Sequence, residues 1–439
     1  MKSKITGPVI LLSIFLISTS AFAAQYTFTP RVTATETYTD NVFLTDDDTE
    51  DDFLTEVSAG GTFSILGETS GMELAFDPGY VWYANNTSDD YWRVPVTLDI
   101  WSNISRRTRF EIYNRFLRDE DPAGDDPVIS EDGSVRDPGD TSVRRGREIY
   151  YTNYATARID HQFGTDDSVY GQFLYSLRRE DYSGPGANDN DRYAPSAGLT
   201  YWFGPKWGTT IDATYTRALF DNSDDFHDIE GIFQLNRRFT RHFQLFGRYG
   251  YAYRDNDGDD VEEEFDYQVH APSVGFIYDV ATDARISMGA GYYYQDIDGD
   301  DNEEGPFVNG EVFKLWNYQR WNARLLGNAG LDRNDFGSER LGFEQFAGIT
   351  GDARYNFTRN FYSNVFARYR YSDSVNEDRE DNRYRVGAGL GWLPTRWMEL
   401  TLDYYYNVLD SSGADAEENY DENRVWFQVT LEPDTPWRW

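Results

Sequence analysis

The sequence predicts an all-β fold, a transmembrane antiparallel up-and-down β-barrel of about 20 strands. Three observations predict it. The chain is rich in aromatic residues, yet beyond residue 23 it holds no apolar run near the ~20 residues of a membrane helix. Apolar and polar residues alternate with period two along most of its length. The alternating stretches are joined by two kinds of connection, short and long, taken in turn.

The N-terminus is read first. Lys2 and Lys4 precede an apolar run at 9–18 and the small-x-small signal Ala21-Phe22-Ala23. These are the parts of a secretory signal peptide, expected to span 1–23, and the apolar run is too short to cross a bilayer. No Cys follows the expected cleavage point, which excludes a lipid-modified N-terminus. Residues 24–439 then form one barrel domain, with no linker or second module in view.

Composition narrows the class. Acids outnumber bases 76 to 40, so the net charge is −36, which argues against nucleic acid as a partner. Mean hydropathy of −0.68 with this acidity would suit a disordered chain, but 17% of residues are aromatic, 33 of them Tyr. There is no Cys, hence no disulfide framework and no thiolate site. A polar, aromatic-rich, exported chain fits a barrel in which only one face of each strand meets lipid.

The strands follow from the alternation. Phe243, Leu245, Tyr249, Tyr251 and Tyr253 share one face, opposite Gln244, Arg248 and Arg254. Met398, Leu400, Leu402, Tyr404, Tyr406 and Val408 oppose Glu399, Thr401, Asp403 and Asn407. Val425, Phe427, Val429 and Leu431 oppose Arg424, Gln428 and Thr430. Nine short connections fall at 67–71, 103–107, 164–167, 204–207, 240–242, 281–283, 317–319, 358–360 and 394–396, many flanked by aromatics. Longer acidic ones alternate with them, as at 45–52, 118–147, 255–264, 296–304, 372–381 and 410–422. Short periplasmic turns and long outer loops are the barrel pattern, and turn-flanking aromatics form a girdle. The count gives 20 strands, with 18 the alternative because 26–42 and 307–316 are hard to delimit.

The run Glu36-Thr37-Tyr38-Thr39-Asp40-Asn41-Val42, an acidic gap, then 52–60 (DFLTEVSAG) resembles a family of outer-membrane barrels found with exopolysaccharide and exosortase (PEP-CTERM) gene clusters. The likeness is sharpest over these residues and is architectural beyond them. It implies a channel in the Gram-negative outer membrane that serves polysaccharide export or assembly, with polysaccharide cargo and periplasmic export components as partners. It supplies no catalytic residues.

With the apolar faces set toward lipid, the candidate pore-lining residues are Arg109, Arg115, Arg158, Arg178, Arg238, Arg248, Arg324, Arg368, Arg370, Arg383 and Arg385. Glu111, Asp160, Glu230, Glu399 and Asp403 join them. Only four Lys occur, so the bases are overwhelmingly Arg, which pairs bidentately with carboxylates and stacks on aromatic rings. Such a wall either passes a polar or anionic glycan or, read more plainly, rigidifies the barrel by ion pairs. The longest loop, 118–147, is the candidate constriction through Glu120, Asp121, Asp125, Asp126, Glu131, Asp132 and Asp137.

Two loops share D-x-D-G-D-D-x-E-E, at 255–263 and 296–304. Asp255, Asp257, Asp259, Asp296, Asp298 and Asp300 are thus candidate Ca²⁺ ligands, or else solvated acidic tips, since the spacing is not that of an EF-hand. Shared cations would also bridge these loops to lipopolysaccharide. An enzyme is not expected: the four His offer only His227 beside Asp224, Asp225 and Asp228, and no phosphate loop or Ser nucleophile motif appears. The competing class is a structural or adhesive surface barrel with a blocked lumen and loops that bind a partner.

Overall fold

The computed structural model describes residues 24–120, 149–180, 189–221, 225–257, 266–298, 302–334, 342–375, 379–413 and 419–439. The expected signal peptide lies outside them.

The wall opens with β1 (Gln25–Thr39), β2 (Asp52–Leu66), β3 (Ser70–Phe76), β4 (Gly79–Tyr83), β5 (Tyr91–Ser105) and β6 (Thr108–Asp119). It continues with β7 (Tyr150–Gln162), β8 (Ser168–Glu180), β9 (Asn190–Tyr201), β10 (Trp207–Phe220), β11 (Phe226–Arg238) and β12 (Phe243–Asn256). Next come β13 (Tyr267–Ala281), β14 (Ala284–Ile297), β15 (Glu303–Asn317), β16 (Trp321–Asn334) and β17 (Gly342–Asn356). β18 (Phe361–Ser374), β19 (Arg379–Thr395), β20 (Met398–Gly413), β21 (Tyr420–Leu431) and the short β22 (Trp437–Arg438) complete it.

β3 and β4 are halves of one wall strand, interrupted at Asp77 and Pro78 and paired with β2 on one side and β5 on the other. β22 extends the line of β21 and pairs with Thr27 and Phe28 of β1. Twenty wall strands result, each antiparallel to its neighbours, and β1 pairs with both β2 and β21 to close the barrel. Closure joins the first and last strands, whose outer edges would otherwise expose backbone groups to lipid.

The nine short connections all fall at one end, between β2 and β3 and at alternate junctions thereafter. Aromatic pairs mark that end: Phe239 and Phe243 lie 6.2 Å apart, Phe357 and Phe361 5.3 Å, and Tyr318 and Trp321 4.6 Å. At the long-connection end Tyr38 meets Phe53 at 5.0 Å and Tyr369 meets Tyr384 at 5.0 Å. Between these belts the outward side chains are mostly apolar, Val274 being 70% exposed and Val365 51%, with Glu36 and Thr55 bonded to each other as an exception. A wall this apolar all round is matched to hydrocarbon, not to water. Among the described residues no helix is long and apolar enough to cross a membrane.

The inward set is polar and in places small. On β19 the inward Gly391 seats the ring of Tyr362, which a Cβ there would strike; Gly198 of β9 does the same for Tyr170. These close approaches require glycine and let rings lie flat against the inner wall.

The expected sidedness is directly checkable. A Cys at Asp47, exposed in segment 40–51, should react with an impermeant maleimide on intact cells. One at Thr240 or Thr358, in the short turns, should react only after the outer membrane is permeabilised. The opposite labelling would invert the orientation.

Candidate functional site

Strand register places every pore-lining candidate on the inward set. Arg109, Glu111 and Arg115 alternate with the outward Phe110, Ile112 and Phe116 on β6. Arg368 and Arg370 alternate with Val365 and Tyr369 on β18, and Arg383 and Arg385 with Tyr384 and Val386 on β19.

Most of these charges are partnered within the wall. Residues two apart on a strand share a face, so one strand can supply both members of a pair. Arg158 grips both carboxylate oxygens of Asp160 at 2.8–3.1 Å and lies 4.1 Å from the Tyr170 ring centre. Arg178 donates to Glu180, and Arg109 sits 3.3 Å from Glu111. Other pairs cross strands. Arg324 donates to Asp352 at 2.8 Å, and Arg370 to Glu344 while lying over Phe346. Arg248 donates to Gln234 at 2.8 Å. Arg238 reaches Asp166 at 2.9 Å and covers Trp202. Arg383 lies 3.7 Å from Asp381; Arg368 and Arg385 cover Phe366 and Tyr405. Glu399 accepts from Tyr362 at 2.6 Å and Asp403 from Asn364 at 3.2 Å. Arg115 and Glu230 also project inward. The lumen is therefore lined by seven of these arginines set against carboxylates, by other charges held on amides, hydroxyls and rings, and by both signs together.

Beneath this lining, at the short-turn end, lies a cavity of about 610 Å³. Arg31, Glu56, Asp77, Arg93 and Glu399 are among its charges, with Arg396, Glu432 and Asp434 at its edge in the chain's short-turn and C-terminal segments, and Thr33, Thr35, Ser58 and Thr430 give hydroxyls. Arg31 is bonded to Asp77, and Arg93 to Asp119 at 2.9 Å and to Glu56 at 3.5 Å. Arg31, Arg93 and this cavity were not among the sequence candidates. Arg31 lies in the 26–42 stretch that alternation delimits poorly.

Segment 40–51 was also missed, and it covers the inner wall at the long-connection end. Val42 is buried among Leu54, Val81, Tyr83 and Tyr91, and Leu44 against Leu409 and Tyr420. The Asn41 side chain is its hub: Nδ2 donates to the carbonyls of Thr45 and Asp421 at 2.7 and 2.8 Å, and Oδ1 accepts from Thr45 N–H at 3.0 Å. Leu44 and Asp48 take left-handed backbone, with φ of 53° and 56°. The sequence signal was there, three apolar residues at 42–44 inside an acidic connection.

The proposed constriction loop lies outside the described residues except at its first acid. Glu120 is buried, and its N–H donates to Asp119; Asp121, Asp125, Asp126, Glu131, Asp132 and Asp137 are beyond description. Of the Ca²⁺ candidates, Asp259 and Asp300 also fall outside. Asp257 is engaged by Arg217, whose hydrogen bond holds the carboxyl below the usual carboxylate range. Asp255 lies 3.1 Å from His227, and Asp296 accepts from Gln268 at 3.0 Å. The N–H of Asp298 donates to the Asp266 carbonyl. No cluster of three such ligands forms among the described residues.

A family model described as "Putative beta-barrel porin 2" matches residues 346–433, and one described as "Putative MetA-pathway of phenol degradation" matches 151–305. No curated protein sequence matches the chain. Among solved structures it is similar to the ferric-catecholate import receptor Fiu from E. coli K12 in its open form. Identity is 10% and the TM-score 0.50, over 92% of this chain and 81% of that one. It is also similar to the copper transporter OprC (12% identity, TM-score 0.47, 92% and 80% covered). OccK2 of Pseudomonas aeruginosa gives 11%, 0.39, 93% and 98%. The chain is a porin-like barrel of the outer membrane.

Proposed function

We propose that this barrel is a passive conduit for small polar solutes, and that sugar-like, hydroxyl-rich molecules suit it best. The observation that carries this reading is the inner wall. Most of its guanidinium groups are tied to carboxylates, so an ionic solute must break existing pairs to be held there. Hydroxyls and stacked rings remain to meet a neutral polyol by hydrogen bonds and ring contact. An oligosaccharide from an exported polysaccharide is the cargo suggested by the resemblance of residues 36–60, and by that alone. Lipopolysaccharide is the neighbour expected at the acidic long connections.

Purified barrel in a planar bilayer should conduct, with weak preference between small cations and anions because the lining charges are paired. Neutral sugars should block the current more strongly than uronic acids of the same size. A silent bilayer would favour the second reading, an adhesive barrel with a closed lumen. That reading has its own support in segment 40–51, which occupies the inner wall at the long-connection end.

A further inference from the structure

β15 and β16 are paired from Gly310 and Ala329 down to Asn317 and Asn322, and no higher. Above that rung β15 pairs with β14 as far as Glu303, and β16 with β17 as far as Asn334. Among the described residues no strand lies against the upper half of β15 on its β16 side. This edge lies within the apolar band. Pro306 and Val308 face outward in register with Tyr292 and Ala290, and Val308 is 51% exposed. A strand edge in hydrocarbon is costly unless protein or water covers it.

What covers it is the top of the β16–β18 sheet, tucked inside. Leu331 and Gln345 fall on the same strand faces as the lipid-facing Trp321 and Ile349. Yet Leu331, with Val375 just past β18, packs against Tyr267, Val269, Tyr293 and Phe307, which all point into the lumen. Gln345 hydrogen-bonds the Tyr293 hydroxyl. The wall here overlaps itself instead of meeting edge to edge.

Beside the overlap is a second cavity of about 180 Å³. Ile232, Ala252, Val269, Ala271 and Leu331 form an apolar side, unlike the rest of the lumen. Asp212 and Glu230 form its polar side.

We infer that the β15–β16 seam is a lateral port between bilayer and lumen, and that this cavity receives a small amphipathic molecule passing through it. The apolar body lies against Val269 and Leu331. A neutral or cationic polar group points to Asp212 and Glu230, whose charge disfavours an anionic head. The volume sets the size, since a cavity of roughly 150 Å³ holds one benzene ring. Passage requires Leu331 and Val375 to slide off the Tyr267–Val269 surface. This route is separate from the polar conduit along the barrel axis.

The probe is 4-fluoroaniline, a neutral one-ring aromatic amine of the size the cavity sets, added to the full chain in lipid nanodiscs and read by its ¹⁹F resonance. A saturable bound signal beyond that of empty nanodiscs is expected. Asn309 and Gly330 are the next rung above the last paired one. A disulfide between Cys at these positions holds their Cα atoms within about 7 Å, fixes that rung and draws the seam toward closure. The chain has no other Cys. Oxidising the Asn309→Cys/Gly330→Cys pair should slow exchange of the probe between bilayer and cavity at least about tenfold, and reductant should restore it. Leu331→Asp should weaken binding itself about tenfold with no disulfide required, which tests the cavity even if the Cys pair stays reduced. Absence of saturable binding, or affinity unchanged in Leu331→Asp, overturns the inference. Exchange that stays fast after oxidation while Leu331→Asp loses binding keeps the cavity and overturns the lateral route. Ion conductance of the same preparations is read in parallel and should not change on oxidation, so the port and the axial conduit fail separately.

Discussion

Replacing residues 42–49 by two glycines should raise the single-channel conductance of the barrel several-fold. The gain should come from the long-connection end, where Val42 and Leu44 hold segment 40–51 on the inner wall of β20, β21, β2, β4 and β5. A constriction dominates the resistance of a wide tube, so removing one layer of chain has a disproportionate effect. A milder change separates obstruction from collapse. Val42→Asp with Leu44→Asp keeps every residue of the segment in the chain but places two charges in apolar contacts, which costs several kcal/mol. The segment should then leave the wall and conductance should rise as in the excised form, with the folded band on unheated gels unchanged. Equal conductance in all three barrels would show that segment 40–51 does not narrow the path. Asn41→Ala probes the hub: it leaves the Asp421 carbonyl and the Thr45 N–H without partners, at about 1–3 kcal/mol. Larger current fluctuations, with the segment leaving and returning, are the expected reading.

The residues that carry the family resemblance turn out to stitch this region together. Asp40 accepts from the N–H and Nδ2 of Asn423, Asn41 holds Asp421, and Asp52 accepts from the N–H groups of Asn85 and Asn86. The motif therefore ties the first connection to the closing strand and to the next connection. Its structural job is visible whatever the cargo.

Period-two alternation made the wall legible, because a closed barrel has one apolar and one polar face and a one-residue slip would exchange them. The same alternation put Arg158, Arg324 and Arg370 on the lumen side before any geometry was known. It could not say that they would be tied to Asp160, Asp352 and Glu344, since two of those three pairs join different strands. The two stretches that resisted delimitation both have physical causes. At 26–42 the strand runs on into apolar residues of segment 40–51 that belong to the lumen, so a third environment is added to the alternation. At 307–316 the strand is paired on both sides only from Gly310 downward. Burial from inside the barrel and parting of strands are long-range events, and local pattern does not encode them.

Arg424→Leu should destabilise the barrel by about 3–5 kcal/mol, the cost of leaving a buried charge without its partner. Arg424 and Glu422 face inward on β21; Glu422 is fully buried and Arg424 nearly so. Arg424 Nε donates to Glu422 Oε1 at 2.7 Å, and the Thr39 hydroxyl of β1 donates to the same oxygen at 2.8 Å. The pair thus sits on the seam where the last strand meets the first. Arg158→Leu removes the same chemistry from a pair whose side chains are 38% and 45% exposed, and should cost no more than about 1 kcal/mol. The urea midpoint for unfolding in lipid vesicles distinguishes them. Adding Glu422→Gln to Arg424→Leu should recover most of the loss, because the uncompensated charge, not the missing contact, is the larger part. If the double variant is as unstable as the single, the guanidinium acts through packing on Tyr405, 5.5 Å away, instead. Burial of Glu422 depends on the cover above it, where Leu44 packs on Tyr420 and Asn41 on the Asp421 carbonyl. In the barrel lacking residues 42–49, water should reach Glu422 and the cost of Arg424→Leu should fall toward that of Arg158→Leu. A cost that stays high in the excised barrel would mean that the strands themselves keep Glu422 dry, and that segment 40–51 lies beside the pair without sealing it.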